Sequence, residues 1–422
     1  MFPIYQPPEW VELETEVARI LTKQELHGWC FDERSAWELA QTLRAELQET
    51  EELLLNRHPY VAGTVFTPKR NNRTQGYVAG APFTKLKDTN LSSRDHIAWI
   101  LQTFHGWNPT QMTTTGKPII DETILTEIGT STALAFLRIL TITKMLGMIS
   151  EGVNAWQKLV TKSRIHHHCS VTTSTFRCSH RNPNLAQVPA DDRFRQLFIP
   201  TPGQVMVGAD LSGVELRCLS HYLSKYDGGR YAEILLNGDI HQVNADKIGI
   251  SRKQVKTVTY AMLYGAGNLK IGLTYDKQLP ENKAKKKGKE IREAYVEAID
   301  GLGDLLTAIK QASERGYICA IDGRRIPVDS SHKALNYLLQ GTAAVLAKRW
   351  LVINDQTIKE TNLCASQLGF IHDEIQFECA PEHSKDLCTS LVFSAQAAGE
   401  YYKFRCPIAA EANQGNNWAE TH

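Results

Sequence analysis

Three stretches of the chain carry residue types that could act together on a phosphate. The first is QVMVGADL, an apolar run ending at Asp210 and Leu211, followed at once by the helical spacing of GVELRCLSHYLSKY. A carboxylate at a strand end, just before a helix N-terminus, is placed to hold a cation beside an anion, because the helix end itself attracts negative charge. The same position also suits an ordinary cap or turn residue. The second stretch is FIHDEIQFE. Ile371, Ile375 and Phe377 are apolar, so His372, Asp373 and Glu374 form the polar apex of a tight hairpin. An acidic turn needs no function. His-Asp doublets also bind metals in helical phosphohydrolases, but with further His ligands on helices, and the flanks here alternate like strands. Two hard carboxylates without a histidine cage suit magnesium. A pair of such ions, about 3.5 to 4 Å apart, clamps an in-line displacement at phosphorus.

The third stretch is SRKQVKTVTYAMLYGAG. Arg252, Lys256, Tyr260 and Tyr264 recur every four residues. Each step drifts about 40° around an α-helix, so all four share one side. Charge, charge, aromatic, aromatic is the order that a nucleoside triphosphate laid along the helix would need, with phosphates at the cationic end and sugar and base at the aromatic end. An amphipathic helix with incidental charges is the alternative.

These stretches sit in a recognisable order of elements. WVELETEVARILTKQEL and SAWELAQTLRAELQETEELLL repeat apolar residues three and four apart, predicting two long helices around a turn, HGWCFDE. Residues 56–90 are rich in Pro, Gly, Asn and basic residues and read as an insertion of short strands and loops. Arg57, Lys69, Arg70, Arg73, Lys85 and Lys87 would give it a basic tip. Ser92-Ser93 signals a helix start, and another helix is predicted over about 121–149. IHHHCSVTT and STFRCSH read as strands around a turn. Helices then dominate from 213 to about 316, and ALNYLLQGTAAVLAKRWLVINDQTIKE is one long helix before the FIHDEIQFE hairpin. A small sheet with parts about 150 residues apart implies one lobe interrupted by a helical insertion.

At 422 residues, 42% hydrophobic and 22% charged, the chain is globular in composition and too long for one core. Its net charge of +1 gives no global attraction to nucleic acid, so such a partner must be met by local patches. Nine cysteines with no CxxC pair read as reduced, mostly buried thiols in the cytoplasm. MFPIYQPPEW lacks the basic and apolar regions of a signal peptide. The most apolar stretch, 133–149, is interrupted by Arg138 and Lys144 and predicts a buried helix rather than a membrane span. The His166-His167-His168-Cys169 run suggests zinc, but no second ligand cluster has the usual spacing, and Cys178 and His180 lie across the expected turn. No zinc site is assigned from sequence.

GADLSGVELR, RKQVKTVTYAMLYGAG and FIHDEIQ together resemble the three polymerase motifs of family A DNA polymerases, the relatives of bacterial DNA polymerase I, and are most similar to the replicative enzymes of short-tailed phages. YVAGAPFT, SSRDHI, IHHHCS, NPNLAQVP, LNGDIH, IDGRR, LNYLLQGTAA and NQGNNWAETH extend the likeness over nearly the whole chain from about Val11. The resemblance implies an α+β right-hand fold: thumb over 1–164 with the basic insertion, palm with a small antiparallel sheet over 165–223 and 336–422, and helical fingers over 224–335. It implies template-directed addition of deoxynucleotides to a primer 3′ end, with two Mg2+ ions on Asp210, the Leu211 carbonyl and Asp373.

By the same resemblance Arg252, Lys256 and His241 contact the triphosphate, and Lys256 donates a proton to pyrophosphate. Ser212 and Gly213 border the nucleotide. Tyr260 lies beside the deoxyribose, where its hydroxyl implies weak discrimination against dideoxynucleotides. Tyr264 packs near the templating base, and Glu215 crowds the 2′ position. Arg177, Asn336, Gln340 and His372 contact the primer-template. The family usually has Gly before that arginine; here it is Phe176. KAKKKGK would form a solvated basic fingertip facing DNA phosphates. No segment corresponds to the family's proofreading exonuclease, so no exonuclease activity is expected, and a separate exonuclease subunit and a phage helicase-primase are the implied partners. The insertion is shorter than the loop that recruits thioredoxin in phage relatives, which argues against that partner. The implied location is the cytoplasm of an infected host cell. Two other readings stay open from the residues: a metal-dependent phosphohydrolase or nuclease, and a non-catalytic DNA-binding replisome subunit.

Overall fold

The computed structural model describes residues 7–171, 173–276 and 279–422. Residues 1–6 of MFPIYQPPEW and Thr172 of IHHHCSVTT lie outside the described residues. The chain divides into two compact units, one of residues 32–160 and one of residues up to 31 together with 161–422. The first helix, α1 (Glu9–His27), therefore belongs with the later residues, although the sequence groups it with those up to 164. HGWCFDE is more than a turn, because it contains strand β1 (Trp29–Phe31). The strand forms because its aromatics are core residues: Trp29 is fully buried, with its ring 5.2 Å from Phe198 and 4.8 Å from Trp418.

In the smaller unit, α2 (Glu33–Arg57) is followed by the hairpin β2 (Tyr60–Phe66) and β3 (Phe83–Asp88), and then by α3 (Arg94–His105). Ser93 caps α3 by accepting from the His96 amide, as the sequence predicts. The helix predicted over about 121–149 is broken. Gly129 takes a left-handed φ of 64° after α4 (Glu122–Ile128), and the Thr130 hydroxyl caps a new helix, α5 (Ser131–Leu146). Residues 131–159 are long and apolar enough to cross a membrane by length and composition, a test that the core helix of a soluble protein also passes. In the structure, Phe136 and Ile139 of this stretch are buried in a core with Leu54, Ile97 and Leu101.

The larger unit resumes with four short strands, β4 (Arg164–Ile165), β5 (His168–Ser170), β6 (Ser179–Arg181) and β7 (Phe198–Ile199). Next come β8 (Val205–Leu211) and the helices α6 (Val214–Asp227), α7 (Arg230–Asn237), α8 (Ile240–Ile248) and α9 (Arg252–Leu263). Then follow α10 (Asn268–Tyr275), α11 (Glu281–Ala298), α12 (Leu302–Ser313) and α13 (Ala334–Glu360). The described chain ends with β9 (Ala365–Ile371), β10 (Glu374–Cys379), α14 (Ser384–Tyr401) and β11 (Ala410–Gly415). β8 to β11 form one antiparallel sheet in the order β9-β10-β8-β11, so residues far apart in the chain meet side by side.

That sheet is fixed from both faces. Gly208 lies opposite Gln376, and a Cβ at 208 would fall 2.2 Å from the Gln376 amide and 2.4 Å from the Thr421 carbonyl. Only a residue without a side chain lets Gln376, fully buried, accept from the Thr421 hydroxyl at 2.7 Å and donate to Glu374 at 2.8 Å. α13 carries the fully buried Trp350, whose indole donates to the Leu391 carbonyl of α14 at 2.8 Å, and the fully buried Lys348. Lys348 is held by Glu14 of α1 at 2.7 Å, and Arg324 pairs with the same carboxylate. KAKKKGK is part of α11 and is not solvated all round. Ala284 and Gly288 face α10, where a Cβ at 288 would fall 1.8 Å from the Asn268 carbonyl oxygen. Lys285, Lys287 and Lys289 pair with Glu281, Glu290 and Glu293 respectively.

Glu378 of β10 is a buried carboxylate with three partners. It meets His27 at 2.5 Å and Arg164 at 3.2 Å, and it accepts from the Thr201 amide at 2.7 Å. Burial alone would raise its pKa, but His27, Thr201 and Arg164 outweigh it and hold the value at about 2. Because the folded-state pKa is depressed, the stabilisation is present above the ordinary value of 4.5 and is lost as pH falls toward about 2. Glu378→Gln should cost about 2 to 3 kcal/mol at neutral pH and flatten the pH dependence of stability between about pH 5 and 2. Urea titrations of parent and variant across that range check this; equal stability at neutral pH would count against it.

Candidate active site

The central strand β8 delivers Asp210 to the edge of a crowded acidic patch. Its register places Asp210 directly opposite Glu374 of β10 on one side and Glu411 of β11 on the other, so the three side chains share one face. Asp373 lies at the apex of the β9–β10 hairpin, where its carbonyl accepts from the Leu211 amide at 3.0 Å. The hairpin turns through His372, which has a left-handed φ of 61°. Glu374 is 5% exposed and receives the Trp418 indole at 2.5 Å and the Gln376 amide at 2.8 Å. His422 meets Glu374 at 3.1 Å and Asp210 at 3.5 Å.

The electrostatics of this patch follow from burial and like charge. Burial, then Glu374 and Asp373, push Asp210 up to about 7 against the pull of His422 and Arg195. Burial and then Glu215 push Asp373 up to about 6. Hydrogen bonding to Glu374 raises His422. Carboxylates that resist ionisation because they are buried beside other carboxylates are those that gain most from a bound cation. Asp210, Glu374 and His422 each offer a ligand atom within 4.8 Å of the others. The oxygen-rich donor set fits a hard divalent ion.

The neighbouring helix is tied to the patch. Gly213, at a left-handed φ of 57°, starts α6. Ser212, between Leu211 and Gly213, bonds its amide to the Ala409 carbonyl at 2.9 Å. Glu215, in the first turn of α6, accepts from Arg177 at 3.2 Å and from the Tyr264 hydroxyl at 3.0 Å. Tyr264 is the residue that ends α9, and its ring lies 6.5 Å from that of Tyr260 and nearly parallel to it. The buried side of α9 is Val255, Val258, Thr259, Met262 and Leu263, which leaves Arg252 and Lys256 exposed and Tyr260 half-buried on the opposite side. The stripe predicted from the four-residue spacing is therefore real, and its aromatic end meets the acidic patch through Glu215. At its cationic end, Arg252 pairs with Asp239 at 2.6 Å, and Asp239 caps α8, whose first turn bears the mostly buried His241. His241 packs 6.2 Å from Tyr260, and burial lowers its pKa, favouring the neutral ring.

The remaining sequence-predicted residues lie on elements of the same unit. Asn336 and Gln340 are one turn apart at the start of α13, both partly buried, and the Asn336 side-chain oxygen is buried without a partner. Phe176 adopts φ of 65°, a left-handed conformation that suits the glycine usual there, so the backbone course is kept. Its ring supports the Arg324 guanidinium at 4.2 Å. Three residues of the patch were not singled out from sequence as site residues. Glu374 was visible only as part of a polar apex, Glu411 lies in an unremarkable strand, and His422 is brought in by tertiary packing alone.

Residues 69–420 match DNA polymerase family A. The chain belongs to DNA polymerase family A. It is 31% identical to the DNA-directed DNA polymerase of Enterobacteria phage T3 and 30% identical to that of Escherichia phage T7, in each case over 98% of this chain and 70% of the relative. DNA polymerase I of Pseudomonas aeruginosa is 27% identical over 80% of this chain and 39% of its own length. Among solved structures, the polymerase domain of Pol1 from M. smegmatis, in complex with DNA primer-template and dNTP, superposes with a TM-score of 0.77 at 22% identity, covering 97% of this chain and 70% of that one. The fold is the right-hand polymerase fold of this family, and the activity is template-directed DNA synthesis on DNA and nucleotide substrates. Members of the family depend on metal ions.

With Asp210 near 7 and Asp373 near 6, protons compete with cations for this patch around neutral pH. Divalent-cation affinity of the isolated protein should therefore fall steeply as pH drops from about 8 to about 6, where an ordinary carboxylate would stay ionised. Calorimetric titration with Mn2+ at several pH values checks this; a flat profile would show that the acids are not coupled.

Proposed function

We propose that this chain extends a primer 3′ end by nucleotidyl transfer at Asp210 and Asp373, with the nucleotide laid along α9. The observation that carries the reading is the Tyr264–Glu215 hydrogen bond of 3.0 Å, which ties the aromatic end of the α9 stripe to the helix that starts four residues after Asp210. Two magnesium ions on Asp210, the Leu211 carbonyl and Asp373 would supply Lewis-acid chemistry, lowering the pKa of the primer hydroxyl and neutralising the triphosphate. The chain itself does the positioning. Arg252 and Asp239 are both about half exposed, so phosphate oxygens can replace the carboxylate on the guanidinium. Lys256, one turn on, holds a proton for the departing pyrophosphate, and His241 adds a neutral imidazole contact. Tyr260 lies against the deoxyribose and Tyr264 near the templating base, while Ser212 and Gly213 border the nucleotide.

Glu215, fixed by two donors, stands where a 2′-hydroxyl would arrive. Arg177, Asn336, Gln340 and His372 offer polar groups to the minor groove, where acceptors are similarly placed in every correct pair. We assign the β8–β11 sheet to the palm, α7–α12 to the fingers and residues 32–160 to the thumb. The basic β2–β3 hairpin of the thumb contacts DNA phosphates, and synthesis takes place in the cytoplasm of an infected cell. A helicase-primase and a separate exonuclease are partners suggested by resemblance alone.

Primer extension with magnesium and four deoxynucleotides tests the reading. Asp210→Ala and Asp373→Ala should each lower extension on the order of a thousandfold while DNA binding, measured by anisotropy, stays largely intact. Undiminished extension in both variants would sink the metal assignment. Glu215→Ala should raise ribonucleotide incorporation relative to deoxynucleotide; unchanged selectivity would remove Glu215 from that role.

A further inference from the structure

The His166–Cys169 run gains from the fold the second ligand cluster that its sequence lacks. β5 and β6 pair antiparallel with Cys169 directly opposite His180. His167 precedes Cys169 by two residues and so falls on the same face. Its neighbours turn elsewhere: His166 Nδ1 meets the Glu25 carbonyl at 2.7 Å, and His168 Nδ1 meets the Glu25 carboxylate at 2.9 Å. Of the three consecutive histidines, His167 is the one that joins Cys169 and His180, and one donor atom from each lies within 4.8 Å of the other two. Cys169 Sγ is 3.3 Å from His180 Nδ1. That is close to the separation of two ligands on a tetrahedral ion with bonds of about 2.0 to 2.3 Å.

Protein contacts satisfy only part of this cluster. His167 is 1% exposed and His180 8% exposed. The Gln24 amide nitrogen, on α1, lies 3.1 Å from His167 Nε2 and 3.5 Å from Cys169 Sγ. When Gln24 donates to Nε2, His167 must carry its proton on Nδ1, and that buried atom has no acceptor; His180 Nε2 is also buried without a partner. Burial holds both rings neutral, the form that binds metals, with His167 lowered to about 3 and His180 to about 4. Burial likewise pushes the Cys169 thiol up to about 12. The thiol thus keeps its proton until a cation arrives; the S–H proton then leaves to solvent as the sulfur–metal bond forms. Cys169 is only partly buried, which leaves a path for entry. One thiolate and two imidazoles select zinc-class ions, whereas the Asp210 patch offers mainly oxygen.

We propose that His167, Cys169 and His180 form a binding site for a divalent cation of the zinc class, distinct from the carboxylate centre and flanked by Gln24. Its role is positional. The His180 ring lies 5.9 Å from that of His372, edge to face, so the site backs onto the hairpin that carries Asp373. Arg177 stands two residues before β6. An ion here pins β5 and β6 to one point beside that hairpin.

Cobalt(II) titration of the full chain, first stripped of metal with a chelator, tests the site. The expected result is a thiolate-to-cobalt charge-transfer band with tetrahedral d–d bands, saturating at one equivalent and displaced by zinc. The carboxylate centre has no sulfur and cannot produce that band, so its behaviour is separable, as is primer extension. Cys169→Ser should abolish the charge-transfer band, His180→Asn should remove the tetrahedral bands, and Cys319→Ser, at an exposed thiol elsewhere, should change nothing. Absence of the band in the unaltered protein overturns the proposal whether or not any variant folds. A band that survives in folded Cys169→Ser, or tetrahedral bands that survive in folded His180→Asn, does the same.

Discussion

Like-charge crowding on the face of one sheet is the constraint from which the rest of the larger unit follows. Asp210 stands between Glu374 and Glu411, with Asp373 at the hairpin apex beside them. Left to themselves these groups would repel, move apart or keep their protons. They stay together because the backbone ladder of β10, β8 and β11 sets their spacing and because Glu374 is locked by Trp418 and Gln376. Burial first, and neighbouring carboxylates after it, raise Asp210 and Asp373, which records the cost of holding charge here. A divalent cation relieves it. The site thus holds in reserve an affinity for positive charge that an acidic turn in solution would lack.

The supports reach well beyond the sheet. Gly208 lets Gln376 approach, Gln376 engages Thr421, and the segment from Trp418 to His422 is drawn against the acidic patch. Behind them, Lys348 of α13 and Arg324 share Glu14 of α1. A buried charge network of this kind adds little net stability compared with apolar packing, but losing one member strands the others. Its value here is registry: it fixes where α1 and α13 sit, and hence where the residues on their flanks point.

Much of this was legible in the sequence wherever a local pattern carried the information. The four-residue stripe of α9, the apolar run of β8, the FIHDEIQFE hairpin and the 27-residue α13 were all readable from periodicity. What escaped depended on contacts distant in the chain. β1 hides in HGWCFDE because three residues show no periodicity, and only packing against Phe198 and Trp418 makes them a strand. The break at Gly129 was masked by apolar spacing that continues across it. KAKKKGK read as a wholly solvated tip because its buried face is Ala284 and Gly288, residues too small to register as hydrophobic. His422 and Glu411 carry no local mark of their role. The His167–Cys169–His180 cluster needed the β5–β6 register to select one histidine of three.

Phe176 has a consequence for how Arg177 is held. A non-glycine residue in a left-handed conformation costs on the order of 1 kcal/mol or more, and stacking under a guanidinium returns a similar amount. The two nearly cancel in free energy, but they differ in kind. A glycine at 176 would leave the segment before Arg177 supple, whereas the Phe176 ring beneath Arg324 moors it to the charged network at Glu14. Arg177 is therefore presented on a segment that has already surrendered its freedom, and in the primer-template role proposed for it less disorder remains to be lost on binding.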